Sequence, residues 1–567
     1  METINEKIVI YQVFTRLFGN ECTTCIPDGS LEQNGTGKLK DFSPKVLREI
    51  KKLGATHIWY TGVLEHATQT DYSAFCIHHD HPAVVKGKAG SPYAIKDYYD
   101  IDPDLAMNVP QRMKEFEALI TRTHAAGLKM IIDFVPNHVA RQYSSDAKPL
   151  GVQDLGVKDN TRKSFDPQNN FYYIPNLPFQ GQFDLLAGDE ESYYEMPAKA
   201  TGNDRFDAYP STNDWYETVK LNYGIDYVGG HRKFFDPIPN TWTKMVQVLK
   251  FWATKGIDGF RCDMAEMVPV EFWHYAIAQV KKKSPKIQFI AEVYNPNEYR
   301  NYIFQGGFDF LYDKVGLYDT LRAILSGQES TKALSNCWQN IEGIQDKMLN
   351  FLENHDEQRI ASTFFAGDPW KALPALLVST LMNTNPMMIY FGQELGEPGM
   401  DNEGFSGYDG RTTIFDYWSV ASIRAWKNEG KWNDELLTES QKKLRAYYTK
   451  VLNLCQKEEA IRSGSFYDLM YVNPNSSSFN ADRQYAFLRK KDKELIVVIV
   501  NFENETKGVG IHIPQHAFET LGIKPQVSIK AKDLLTNEIL TVSLSPDKLL
   551  STHLEGNNGK VLKIILK

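Results

Sequence analysis

The chain has 567 residues, 42% hydrophobic and 24% charged, with a formal net charge of -8; that length exceeds one ordinary core, so a large domain with at least one smaller companion is expected. The composition excludes wholesale disorder, and the acidic balance offers no basic face for nucleic acid. No run of about 20 apolar residues is present to span a membrane, and METINEKIVIYQVFTRLF lacks the basic start and apolar run of a secretory leader, which leads to the expectation of a cytoplasmic protein.

In chain order, IVIYQVF (8–14) reads as the first strand. SPKVLREIKKLG (43–54) follows as a helix, with Ser43 as cap, Pro44 in the first helical position, a Val46, Leu47, Ile50 and Leu53 stripe, and Gly54 as terminator. THIWYTGV (56–63) is a second strand, PQRMKEFEALITRTHAAG (110–127) a helix, and KMIIDFV (129–135) a third strand. The stretch 139–235, rich in Tyr, Asn, Asp, Gly and Pro, exceeds any ordinary crossover and is expected to form an inserted subdomain. Strands resume at GIDGFRCD (256–263), IQFIAEVY (287–294), FDFLYDK (308–314), MLNFLENHD (348–356) and PMMIYFGQE (386–394), with PVEFWHYAIAQVKKKSP (269–285) as another helix. Eight strands alternating with helices imply an α/β fold, a parallel (β/α)8 TIM barrel over 1–138 and 236–440, with its chemistry at the C-terminal strand ends. Beyond it the period changes to two, as in QYAFLRK-KDKE-LIVVIVNF, so 441–567 is expected to be an antiparallel β-sandwich.

Six cysteines are too few for a disulfide framework in a chain this long. Cys22 and Cys25 form a single CxxC, and CIHHDH begins at Cys76; a metal site from these two loops competes with the plainer reading of free thiols and solvated histidines.

In GIDGFRCD, Arg261 and Asp263 are two apart, so on a strand they share one face. Asp263 ends the fourth strand, Glu292 the fifth and Asp356 the seventh, bringing three acids to one barrel mouth. A lone Arg–Asp pair reads as a structural ion pair. Three converging acids, with His138 and His355 beside them, point instead to glycosidic bond cleavage, which needs an ionised and a protonated carboxyl distinguished only by their surroundings. Arg261 is expected to keep Asp263 ionised, and Glu292, flanked by apolar Ile290 and Val293, to hold a proton.

DFVPNH, GFRCD, the Glu of FIAEVY and ENHD, in this order on these strands, closely resemble the four signature regions of the α-amylase family of glycoside hydrolases. The resemblance implies a retaining hydrolase of α-1,4-linked glucans: Asp263 as nucleophile, Glu292 as general acid/base, and Asp356 gripping sugar hydroxyls. It places Arg261, His138, His355, Tyr93 and Asp97 among the substrate-binding residues, with Tyr93 as the ring on which the sugar stacks. Asp133 and Asn137 match the first region, and the resemblance implies a calcium ion supported by Asn137; no organic cofactor is implied. The expected partner is an α-glucan or maltooligosaccharide. Ser91, Glu266 and Met267 depart from common family residues, and VKLNYGIDY (219–227) matches the inserted-domain motif loosely. A transglycosylase or isomerase using the same intermediate, and a non-catalytic sugar-binding protein on the same fold, are the rival readings.

Overall fold

The computed structural model describes residues 6–189 and 191–567. Eight parallel strands close into a barrel: β1 (Val9–Phe14), β2 (His57–Thr61), β3 (Lys129–Phe134), β4 (Gly259–Cys262), β5 (Gln288–Ala291), β6 (Phe310–Tyr312), β7 (Met348–Phe351) and β8 (Met387–Tyr390). Each strand pairs with its sequence neighbours and β1 closes against β8. All eight lie within the stretches expected from apolar runs, because strands buried on both faces need nearly continuous hydrophobic sequence.

The side-chain period of two divides each strand between a helix-facing and a lumen-facing set. Ile10, Trp59, Ile131, Ile290, Tyr312, Leu349, Phe351 and Met388 form one buried cluster fed by seven strands, the packed interior of the barrel. One step further along the chain direction the inward positions turn polar: Gln12, Asp133 and Arg261 are all buried, and Asp133 pairs in register with Arg261. The barrel is therefore apolar at its centre and charged at its C-terminal mouth.

The helices follow their punctuation. Helix α1 (Pro44–Leu53) starts at Ser43, whose side chain accepts from Val46 N–H, and stops at Gly54 with a left-handed φ of 118°. Helix α2 is Arg112–Ala125, α3 Asn240–Lys255 and α4 Val270–Lys281. All nine residues of α5 (Leu373–Leu381) are buried. A helix apolar all round needs cover on every side, and the C-terminal sheet supplies it. Helix α6 runs unbroken from Glu439 to Lys457 through the boundary expected at 440/441, and its Leu452 lies against Gly54 at the end of α1.

Beyond α6, strands β9 (Ser465–Asp468), β10 (Gln484–Lys491), β11 (Glu494–Asn501), β12 (Lys507–Ile511), β13 (Gln526–Asp533), β14 (Ile539–Leu544), β15 (Leu550–Leu554) and β16 (Asn558–Ile565) are all antiparallel. Six form one sheet in the order β9-β10-β11-β16-β13-β14, and β12 pairs with β15 in a second. Between β3 and α3 the chain makes only short ladders, among them His138–Ala140 with Thr218–Lys220, and a small core around Phe179 and Tyr193. Among the described residues Cys22 and Cys25 are free thiols directed at Gln33 O and Ser419, and no metal cluster forms from them and the 76–81 histidines.

A Cβ on Gly54 would lie 2.8 Å from Leu452 Cβ, in a backbone conformation that side chains resist. Gly54→Ala is expected to cost about 1–3 kcal/mol, read as a lower Tm; an unchanged Tm would show that α6 does not hold α1 in place.

Candidate active site

Asp263 and Glu292 immediately follow β4 and β5, and Asp356 lies in the loop after β7. All three line one pocket of about 410 Å³ with Tyr93, His138, Ser91, Trp215, Tyr294 and others. Arg261, 1% exposed, lies beneath them. Its Nη1 donates to Asp263 Oδ1 at 2.6 Å, and its Nε lies 3.3 Å from Tyr312 Oη. Its Nη2 sits 2.7 Å from Glu292 Oε2 in an ion pair whose N–H groups point past the oxygen. The guanidinium carbon is 5.2 Å from the Trp59 ring centre and 5.3 Å from that of Tyr93, distances at which aromatic faces stabilise a cation.

Two further donors converge on Glu292. Met264 N–H reaches Oε2 at 2.8 Å and the Tyr294 hydroxyl bonds Oε1. Met264 takes a left-handed φ of 41°, which turns its N–H back from the end of β4. The apolar surroundings expected for Glu292 are therefore only half of its environment.

Burial pushes the Asp263 carboxyl well above the ordinary range; Arg261 opposes this, and Glu292 adds to it. The expectation that Arg261 keeps Asp263 ionised is corrected: the guanidinium offsets burial without overcoming it. Burial, then Glu292, pushes Asp356 up to about 7, with 41% of its side chain exposed into the pocket. Asp263 and Asp356, each raised first by burial and then by a neighbouring acid, do not titrate as independent groups.

The histidines are neutral. Burial drives His355 well below its ordinary pKa, and burial with Lys220 and Lys86 brings His138 down to about 3. Gln12 Nε2 lies 2.9 Å from His355 Nδ1. With that N–H facing Nδ1, the ring proton sits on Nε2, beside Tyr93 Oη at 2.6 Å and Asp356 Oδ2 at 3.1 Å. The Tyr93 ring stacks on His355 with centroids 5.3 Å apart, and His138 meets Trp215 at 5.2 Å.

Asp97 does not join them and is corrected here. Fully buried, it accepts from Tyr99 N–H, Ser145 Oγ and Ala147 N–H, and it does not line the pocket. Of the inserted-segment aromatics, Trp215 reaches the pocket. Tyr216 packs on Phe183, Tyr223 donates to Pro136 O, and Phe171, Tyr172 and Tyr173 are buried in the core. Glu266 accepts from Tyr294 and Asn295 N–H and so shapes the loop after β5. Lys86 and Glu217, an ion pair at 3.1 Å, and Phe415 also line the pocket. They lie in loops with no periodic signal; Tyr294, two residues after Glu292 in FIAEVYNP, was within reach of the same i, i+2 reading that singled out Arg261.

Asn137 does not fit a calcium ligand. Its Oδ1 accepts from the Lys220 ammonium at 2.6 Å and its Nδ2 donates to Gly202 O. Lys220, 2% exposed, also pairs with Asp204 at 2.5 Å. The Asn137 oxygen is thus taken by a cation of the chain itself, because the 138–140/218–220 ladder brings Lys220 opposite His138. Lys220→Met leaves the Asn137 oxygen buried without a donor, at a cost of about 1–3 kcal/mol; Tm should fall, and an unchanged Tm would contradict this role.

The chain matches the family model for the alpha amylase catalytic domain over residues 12–449. It is 22% identical over 509 residues to alpha-amylase 2 of Dictyoglomus thermophilum, covering 88% of this chain and 70% of that one. It is 23% identical over 512 residues to a Bacillus cyclomaltodextrinase, covering 87% and 72%. In structure it resembles the maltogenic alpha-amylase AmyB of Thermotoga neapolitana, with a TM-score of 0.62, 19% identity and 99% of both chains covered. It also resembles the Geobacillus thermoleovorans alpha-amylase, with a TM-score of 0.63, 18% identity and 100% of both chains covered. With its eight-stranded parallel barrel and this extent of match, the chain belongs to the alpha-amylase family and is a glycoside hydrolase.

Proposed function

We propose that this protein hydrolyses α-1,4-glucosidic bonds in maltooligosaccharides or starch with retention, through a covalent glycosyl-enzyme. The observation that carries the reading is the bridging of Asp263 and Glu292 by one guanidinium beneath the pocket, with Asp356 lining the same pocket. A volume of about 410 Å³ suits a small-molecule site. The Geobacillus relative was crystallised in complex with acarbose, an oligosaccharide.

In the first step an Asp263 oxygen attacks the anomeric carbon as the glycosidic C–O bond breaks, and Glu292 gives its proton to the departing oxygen. In the second, a water oxygen bonds to the anomeric carbon, its proton passes to Glu292, and Asp263 leaves as carboxylate. Tyr93 offers a ring face to the sugar, Asp356 accepts from its hydroxyls, and neutral His138 and His355 act as hydrogen-bond partners without adding charge.

Product chromatography on maltoheptaose tests the reading. The native protein should release short maltooligosaccharides, and Asp263→Asn should lose roughly a thousandfold or more of kcat. Longer sugars would mean that a sugar hydroxyl replaces water, and rearranged sugars would mean isomerisation; no turnover on maltoheptaose or starch would overturn the substrate assignment.

The acid cluster also makes a pH prediction. Glu292 is one of the charges holding Asp356 up to about 7. Glu292→Gln removes it, so ionisation of Asp356 becomes easier. The pH midpoint of maltotriose binding, followed by tryptophan fluorescence, should lie at lower pH in Glu292→Gln than in the native protein. An unmoved value would show that Glu292 does not act on Asp356.

A further inference from the structure

Outside the pocket, a second group of acids lies behind the hairpin that leads from Tyr93. Strand residues Leu64–His66 pair with Ile95–Ile101, and the register sets Glu65 opposite Asp97. Asp146, at the start of the inserted segment, completes the group: one oxygen from each of Glu65, Asp97 and Asp146 lies within 4.8 Å of the other two.

Proximity alone would be unremarkable among acids; the state of Glu65 is the second observation. It is 1% exposed, and neither of its carboxylate oxygens has a hydrogen-bond partner. A buried carboxylate left in this way is costly unless a cation compensates it. The cations facing the group are Arg112 and Lys96. Arg112 Nη2 is bound to Asp100 Oδ2 at 2.6 Å and stands 3.5 Å from Asp146 and 3.9 Å from Glu65. Lys96 is bound to Asp80 at 2.8 Å. Arg112 is thus shared among Asp100, Asp146 and Glu65 and Lys96 is held by Asp80, so two cations stand among five carboxylates, these four and Asp97, and leave the group with more negative than positive charge.

We propose that Glu65, Asp97 and Asp146 form a binding site for one hard divalent cation, calcium in preference to magnesium. The donors are all carboxylate oxygens, the chemistry of a hard cation, and calcium's oxygen distances of about 2.3–2.6 Å give a coordination sphere roughly 5 Å across, which accommodates the spread. Asp146 is exposed and gives the ion its way in. Asp97 already accepts from Ser145 Oγ and Ala147 N–H, so the ion ties the start of the inserted segment to the strand that follows Tyr93. This site is separate from Asn137, whose oxygen Lys220 holds.

The test is thermal melting and isothermal calorimetry of the full chain after chelation, with calcium or magnesium chloride returned at about 1 mM. The expected result is a higher Tm with calcium and one calcium bound per chain. Asp146→Asn, a change on the exposed side, should weaken calcium binding about tenfold or more, and Glu65→Gln should abolish the Tm increment. No calcium increment in the native protein, calcium binding unchanged in both variants, or an equal response to magnesium would overturn the proposal. Asp146→Asn and Glu65→Gln leave the pocket acids in place, so failure here is distinguishable from failure of the hydrolase reading.

Discussion

The structure of the active pocket depends on one buried guanidinium. Arg261 is surrounded by protein at the mouth of the barrel, where an isolated charge would cost several kcal/mol, and everything near it answers that cost. Asp263 and Glu292 supply charge at 2.6 and 2.7 Å, Asp133 stands 3.7 Å away, and the Trp59, Tyr93 and Tyr312 rings close around the cation. The same contacts give the acids their properties. Two carboxyls held against one cation cannot both behave as isolated acids, and burial, then the charge of Glu292, pushes a third, Asp356, up to about 7. The charges of the candidate site and the stability of the barrel mouth are thus one electrostatic arrangement.

That arrangement rests on strand geometry. Gly259, Arg261 and Asp263 alternate toward the lumen, and the parallel register sets Ile131 and Ile290 beside Gly259 and Arg261 on the neighbouring strands. The apolar layer formed by Ile10, Trp59, Ile131 and their partners ends one residue pair below the charged layer. A register slip of a single residue would put Arg261 among the outer helices.

The barrel and its charged mouth were legible in the sequence for this reason. Buried parallel strands must be written as apolar runs, and GFRCD stands out because charges interrupt one of them at a two-residue spacing. The helix Pro44–Leu53 was legible because a cap, a stripe and a terminating glycine all agree. What remained hidden depends on long-range contact. The Lys220–Asn137 bond spans 83 positions, the Lys86–Glu217 pair joins two irregular loops, and Asp97 sits in a strand whose pattern does not say which neighbours its carboxylate meets. The stripe of Leu444, Tyr448 and Leu452 could not reveal that its helix packs on α1, because amphipathic spacing names a buried face without naming its partner.

The central claim is that Asp263 and Glu292 act as nucleophile and acid/base on the same bond. The most direct measurement is the anomeric configuration of the first sugars released from maltoheptaose, followed by proton NMR before mutarotation. The account predicts that the α-anomer appears first and the β-anomer grows in later. A β-anomer appearing first would mean single-step inversion by an activated water, and it would contradict a glycosyl-enzyme on Asp263.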